Sequence, residues 1–169
     1  MRKSCRFAMA VHVLAVLAYK QGDRVTSSLL AASVNTNPVI VRRLLLALQA
    51  ANLIETRKGA GFGSRLSRSP ARINLAEVYH AVEDGDSFAL PSRKPNFDCP
   101  VGHCIQTELK RIFTSAEHAL VQDLSQTTLA NILDCVERAS SSAQSAIAMK
   151  KVAAAPATGA QGQAGGLAG

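Results

Sequence analysis

Two adjacent arginines, Arg42 and Arg43, follow an Asn-Pro-Val segment, and this combination of side chains could recognise bases in duplex DNA. Arginine can bond guanine through two parallel hydrogen bonds, and asparagine can do the same for adenine. Asn37 also suits the N-cap of a helix, with Pro38 at the first helical position and Val39 after it. These side chains would lie in the first turns of the helix, where a recognition helix contacts base edges. The alternative is an ordinary helix with a solvated polar face.

A second candidate site is a glycine-rich segment between Lys58 and Arg65. Glycine allows backbone N–H groups to approach a phosphate, and the two flanking cations add positive charge. The segment has neither the glycine spacing of a dinucleotide fingerprint nor the Lys-Ser/Thr pair of a P-loop, which argues against nucleotide binding. We interpret it as the tip of a β-hairpin that contacts the DNA backbone, and its further candidate contacts are Gly59, Gly61, Gly63 and Ser64.

A third candidate site contains two thiols and an imidazole, from Cys99, Cys104 and His103. Three interpretations remain open: a structural role, a thiol redox sensor, and a zinc or iron–sulfur site that would lack its fourth ligand within the segment. We predict no bound cofactor, with a cluster or zinc as the alternatives. Cys104 is expected near the start of a long helix, whose N-terminus favours a thiolate, so we predict that it is the more reactive thiol. A Cys99–Cys104 disulfide would need Cα atoms within about 7 Å.

The elements that must position the first site form a helix-turn-helix pattern. Helical periodicity predicts a helix over residues 4–19 and a shorter one over 27–33, capped by Thr26, with Leu29 and Leu30 facing inward. A three-residue turn then leads to the helix that begins after Asn37, and Asn52 can end that helix in a left-handed conformation.

Beyond Asn52 the apolar period changes from helical to strand-like. Residues 53–56 and 65–67 are predicted to form the two strands of the hairpin. Asn74 and Glu77 have the spacing of a capping box, which predicts a helix over 75–82.

A longer helix is predicted over residues 105–124, and a shorter one follows a cap at Thr127 or Thr128. The long helix carries one apolar stripe that would be a large exposed patch on a monomer, so we predict a two-fold homodimer. The stripe comprises Leu109, Ile112, Phe113, Ala116, Leu120 and Leu124. Cys135 is expected to pack as a small hydrophobe, and the Ala- and Gly-rich residues 153–169 are expected to be disordered.

The net charge of +7 over 169 residues is unevenly distributed. Residues 1–72 hold 12 Lys/Arg against two Asp/Glu, and residues 73–149 hold 5 against 10. A basic half joined to an acidic half suggests a polyanion-binding module with an appended unit. No apolar run reaches the roughly 18 residues of a membrane span, and His12 interrupts the only stretch that resembles a signal peptide. We therefore expect a cytoplasmic protein.

Taken together, several segments resemble the Rrf2 family of bacterial transcription regulators, over residues 1–138. The resemblance is carried by 37–43, by Leu53-Ile54 with the wing glycines, by 73–82, by Cys99-Pro100-Val101-Gly102 and by 127–130. The Asn-Pro-Val and Cys-Pro-Val-Gly segments most resemble the YwnA-like branch, which is not generally a cluster-binding one. Cluster-binding members place three cysteines before the long helix, whereas this sequence has two. Phe62 stands where many members have another wing glycine.

The resemblance implies a mainly α winged helix-turn-helix with a small β-hairpin wing and a long C-terminal dimerisation helix. We assign residues 1–84 to the DNA-binding domain, 85–104 to a sensor or linker loop, 105–149 to the dimerisation helices and 150–169 to the tail. The predicted function is a homodimeric, sequence-specific DNA-binding regulator, a repressor, that binds a palindromic operator and responds to thiol oxidation. Arg2 and Lys3 are added to the predicted DNA contacts. No catalytic constellation is recognisable, so we predict no enzyme; the rival is a winged-helix module that binds another protein.

Overall fold

The computed structural model describes residues 5–20, 23–57, 59, 62–83, 85 and 88–139. Its elements are α1 (Arg6–Tyr19), α2 (Ser27–Val34), α3 (Pro38–Ala50), β1 (Ile54–Arg57), β2 (Gly63–Leu66), α4 (Leu75–Val82) and α5 (Pro100–Ser125), with a 3₁₀ turn at Pro70–Arg72. Residues 129–139 are also helical. The chain divides after Asp134 into two compact units; the first contains all the named elements, and residues 135–139 are the described part of the second. The mainly α fold with a two-stranded wing is thereby confirmed.

The turn between α2 and α3 is fixed by local hydrogen bonds. Thr26 accepts a bond from the N–H of Leu29 at 3.3 Å, as predicted for the cap of α2. Asn35 adopts a left-handed conformation with φ of 55°, and the N–H of Thr36 returns to the carbonyl of Ala31 at 3.0 Å, which is the closing bond of a Schellman motif. The prediction that Leu29 faces inward is wrong, because it is 48% exposed while its neighbour Leu30 is fully buried.

The wing is an antiparallel hairpin in which Ile54 pairs with Leu66 and Arg57 with Gly63. Asn52 ends the preceding helical stretch with φ of 56°, as predicted. Val25 forms an isolated antiparallel bridge with β2, because its N–H and carbonyl exchange hydrogen bonds of 2.8 and 2.9 Å with Ser64. This extra pairing draws residues 63 and 64 into the sheet, so β2 begins two residues before the predicted start at 65.

The C-terminal part of the first unit is attached at the start of α4. Asn74 and Glu77 form the predicted capping box. The chain returns to this point after α5, where Leu75 N–H donates to the carbonyl of Thr127 at 2.9 Å and Leu129 enters the core with no exposed surface. The core gathers apolar side chains of α1–α4, both strands and Leu129.

Helix α5 begins at Pro100, five residues before the predicted start at Ile105. The early start follows from Pro100, which suits the first helical turn because it has no N–H to leave unpaired. Cys104 therefore lies within the helix rather than in a loop before it.

Cys135 is exposed, contrary to the prediction that it packs as a small hydrophobe. The predicted contacts Arg2, Lys3, Lys58 and Gly61 and the predicted disordered tail lie outside the described residues. Within the described ranges, none of the helices has the length and apolar character needed to cross a membrane.

Candidate nucleic-acid interface

Helix α3 has one face in the core and the other in solvent. Val41, Leu44, Leu45 and Leu48 are buried and anchor the helix. Val39, Arg42 and Arg43 lie on the opposite side and are exposed. The side chain of Asn37 accepts a bond from the N–H of Val39 at 2.8 Å, so its amide oxygen caps the helix. Its amide nitrogen remains available to an external acceptor, and the two arginines stand one and two residues beyond the first helical turn.

The arginines of α3, Arg42 and Arg43, form no ion pair with the described part of the chain. Arg43 also lines a shallow cleft of about 370 Å³ with Arg6, Ile40 and Leu44, between the start of α1 and α3. Arg43 therefore faces the α1 side of the exposed face, while Arg42 is rotated from it by about 100° around the helix axis.

The wing contains cations of two kinds. Arg65 is paired with Glu55, which lies directly opposite it in the hairpin, through two hydrogen bonds of 2.9 and 3.1 Å to one carboxylate oxygen. Arg24 approaches the same oxygen at 3.9 Å and donates to the carbonyl of Gly63. Arg57 is exposed and has no partner within the described part of the chain. Glu55 therefore partly neutralises Arg65, which was predicted as a DNA contact. Arg57, which was not predicted as a contact, is the more available of the two cations.

Two predicted wing contacts have structural roles in the hairpin. Ser64 is buried, and its hydroxyl bonds Thr56 across the strands at 3.0 Å. Gly63 is also buried with φ of 135°, and a Cβ there would meet the backbone of Arg24 and Val25 at 3.0–3.1 Å. Only glycine fits this close approach. The remaining described glycine of the tip, Gly59, is exposed and has open space around it.

The sequence contained the signals for both features of the wing. Glu55 is the only acid in residues 42–72, and a hairpin register that places it opposite Arg65 predicts their pairing. Arg57 belongs to the same basic run and ends β1 beside the tip. The exposed Phe62 side chain adds an apolar group next to these cations, with 61% of its surface accessible.

The two cysteines of the third candidate site are separated by the first turn of α5. Cys99 occupies the N-cap position. The backbone N–H groups of Gly102 and then Val101 stabilise its thiolate and lower the pKa of this thiol, although no capping hydrogen bond of normal geometry is formed. The helix N-terminus therefore favours a thiolate at Cys99, whereas the sequence predicted Cys104 as the more reactive thiol.

Regular helix geometry places Cα atoms five residues apart at about 8.6 Å. Because a disulfide needs Cα atoms within about 7 Å, a Cys99–Cys104 bond would require the first turn of α5 to unwind. Gly102 lies directly against the preceding loop, because a Cβ there would overlap the carbonyl oxygen of Asn96. Among the described residues, no three His, Cys, Asp or Glu side chains converge as a metal site would require. The residues present thus do not provide a conventional cluster site.

Two sequence comparisons match the chain to regulators of transcription. The family model "Rrf2: Iron-dependent Transcriptional regulator" matches residues 3–135. The chain is 36% identical over 129 residues to the curated Bacillus subtilis (strain 168) protein "Putative HTH-type transcriptional regulator YwnA", covering 76% of this chain and 95% of that protein.

Solved structures show the same fold. One, described as the "Crystal structure of a putative DNA binding protein", shares 36% identity with a TM-score of 0.62, and the match covers 76% of this chain and 98% of that one. The oxidised form of CymR from Staphylococcus aureus shares 21% identity with a TM-score of 0.57, over 79% of this chain and 96% of that one. At 21% identity, the likeness to CymR concerns the fold alone.

Proposed function

We propose that this chain, which belongs to the Rrf2 family of transcriptional regulators, is a homodimeric repressor that reads a palindromic DNA site and responds to thiol oxidation. The matched family and the curated relative are regulators of transcription, not enzymes, which confirms the prediction that the chain is not an enzyme. The observation that carries the DNA-binding proposal is the exposed N-terminal face of α3. Two arginines there, which have no ion-pair partner among the described residues, project from a helix anchored by four buried apolar side chains.

The proposed DNA contacts divide into two groups. Asn37, Val39, Arg42 and Arg43 would enter the major groove, where Val39 can pack against a thymine methyl group. The wing would follow the phosphates, with Arg57 as an additional contact and with Lys58, Gly59 and Gly61 as predicted from the sequence. Arg65, also predicted from the sequence, is held by Glu55 and would reach a phosphate only when released from it. Pro38 fixes the entry to the recognition helix, and Gly63 and Ser64 shape the wing. Arg2 and Lys3 are proposed as further phosphate contacts.

The dimer proposal rests on the exposed face of α5. Of its 26 residues, Gly102 alone is buried. Ile112 is 48% exposed, and Ile105 and Leu120 on the same side are more than one-third exposed. Such a row of apolar side chains on a long helix is typical of a helix that packs against its two-fold mate. A two-fold dimer would place its two recognition helices in half-sites about one helical turn apart.

The redox proposal assigns different roles to Cys99, the N-cap of α5, and to Cys104 within the helix. Peroxide would oxidise the Cys99 thiolate to a sulfenic acid with loss of hydroxide. The Cys104 thiol would then attack that sulfur, release water and form the disulfide. Since this bond requires the first turn of α5 to unwind, oxidation would shorten the proposed dimerisation helix and change the spacing of the two DNA-binding units.

The function is tested by selecting bound duplexes from a random pool and measuring affinity for the selected site. Arg42→Ala or Arg43→Ala should weaken specific binding by about 1–3 kcal/mol and relax the preference at one base position. Arg93→Ala, which removes an exposed arginine from the loop before α5, is the matched control and should bind normally. Failure to select any sequence, with affinity independent of salt, would favour a protein-binding module instead.

The redox step is tested on the same site. Peroxide should lower operator affinity in the wild type but not in Cys99→Ser/Cys104→Ser, and reductant should restore it. An unchanged affinity with both thiols oxidised would remove the sensor from the proposal while leaving DNA binding intact.

A further inference from the structure

A cleft of about 490 Å³ opens between α5 and the loop segment 88–90. Its volume lies in the range of small-molecule sites. The apolar walls are Phe88, Leu90 and Phe113, and the two phenyl rings are stacked with centroids 5.0 Å apart and planes inclined by 22°. Because the two rings cover each other's inner faces, they form one compact aromatic wall. Its ring edges and outer faces can meet an aromatic ligand in edge-to-face or offset contact.

The polar groups of the cleft come from successive turns of α5. Lys110, Thr114 and His118 are four residues apart and line the same opening. Neither Lys110 nor His118 has an ion-pair or hydrogen-bond partner in the described part of the chain. The one lining acid, Glu117, accepts a hydrogen bond of 2.8 Å from the hydroxyl of Tyr79, so its carboxylate is already engaged by α4. The ammonium of Lys110 and the hydroxyl of Thr114 can therefore both donate to an incoming anion.

The cleft lies on a different side of α5 from the proposed dimer face. At 100° per residue, Ile105, Ile112 and Leu120 are centred about 165° away from the three polar residues of the cleft. Phe113, which the sequence placed in the apolar stripe, instead stacks on Phe88 in the cleft. Two-fold packing of the apolar stripe would therefore leave the cleft open to solvent. The cleft is also separate from the thiol site, since Cys104 precedes Lys110 by more than one helical turn.

From this combination we infer that the cleft binds a small aromatic carboxylate. The planar body would pack on the Phe88–Phe113 wall, and the carboxylate would accept hydrogen bonds from Lys110 and Thr114. A charge-assisted bond to a lysine is about twice as strong as a neutral one, so the anion is the group that selects the ligand. The site goes beyond DNA binding and thiol oxidation, and it can be tested without any DNA.

Isothermal titration with benzoate tests the site directly on the full chain. A molecule of this size is expected to bind with a dissociation constant on the order of 0.1–1 mM. Benzamide, which keeps the ring but lacks the charge, should bind about tenfold more weakly. Benzylammonium should not bind, because its charge would face Lys110.

Two variants and a matched control locate the binding. Lys110→Gln should weaken benzoate binding by about tenfold. Phe88→Ala removes one of the two stacked rings and should also weaken benzoate binding. Arg111→Gln removes the same charge from the adjacent position of α5, where the arginine is paired with Glu108 outside the cleft, and should bind benzoate as the wild type does. Circular dichroism melts confirm that each variant is folded. Equal affinity for benzoate and benzamide, equal effects of the Lys110 and Arg111 substitutions, or no binding at millimolar benzoate would each overturn the inference.

Discussion

Replacing Glu55 with glutamine should strengthen DNA binding and make it more sensitive to salt. Glu55 holds Arg65 through two bonds to one oxygen and is the only acid among residues 42–72. Both partners are close to half exposed, so the pair contributes only about 0.2–1 kcal/mol to folding and its loss should leave the hairpin intact. Arg24 stays held by the carbonyl of Gly63. The substitution therefore frees one guanidinium, that of Arg65, for a phosphate.

The expected size follows from counterion release. Each phosphate neutralised adds about 0.9 to the slope of log affinity against log salt. Between about 50 and 200 mM salt, one added contact therefore costs an extra factor of about 3.5 in affinity. Glu55→Gln should show this additional loss over the wild type while binding more tightly at the low-salt end.

The assay is fluorescence anisotropy on one selected duplex over a series of salt concentrations. Glu108→Gln is the matched control, because it makes the same charge change in an exposed Glu–Arg pair on α5 and should leave the slope unchanged. Arg65→Gln added to Glu55→Gln should return the slope to the wild-type value. A slope unaffected by Glu55→Gln, or raised equally by Glu108→Gln, would refute the argument that Arg65 is a phosphate contact held in reserve by Glu55.

Three further outcomes are expected. Ile112→Asp should give a monomer by light scattering at micromolar concentration, because the charge would be desolvated at the dimer face; a persistent dimer would contradict the assignment of that face. Asn74→Ala should lower the free energy of unfolding by about 1 kcal/mol in denaturant titrations, because it removes the bond from Glu77 N–H, and an unchanged midpoint would show that the capping box is dispensable. Since backbone N–H groups lower the pKa of Cys99, its alkylation rate should rise at lower pH than that of Cys104 when both are followed by peptide mass spectrometry, and the reverse order would restore the prediction from sequence.

Local signals in the sequence were sufficient for most of the fold. Caps at Thr26, Asn37 and Asn74 were predicted from residue type and spacing and are present, because a capping bond joins residues two or three apart and depends little on the rest of the chain. The left-handed conformation of Asn52 was predicted for the same reason. The Asn-Pro start of α3 likewise predicted that Arg42 and Arg43 would follow in the first turns of a helix. These features, with the basic run around them, indicated a DNA-recognition helix before any tertiary contact was known.

Tertiary structure decided which of the candidate side chains are available to a ligand. In the sequence, Arg42, Arg57 and Arg65 are cations of the same kind. The hairpin register places only Arg65 opposite Glu55, and these two side chains form an ion pair. Ser64 and Gly63 are withdrawn into the wing by pairing with Val25, which is nearly forty residues away in the chain. The order of the two thiols depends on where α5 begins, and the cleft beside Phe88 exists only because that loop packs on α5. Pairing, burial and helix boundaries of this kind depend on contacts between residues far apart in the chain. Local patterns of residue type and spacing do not predict such contacts.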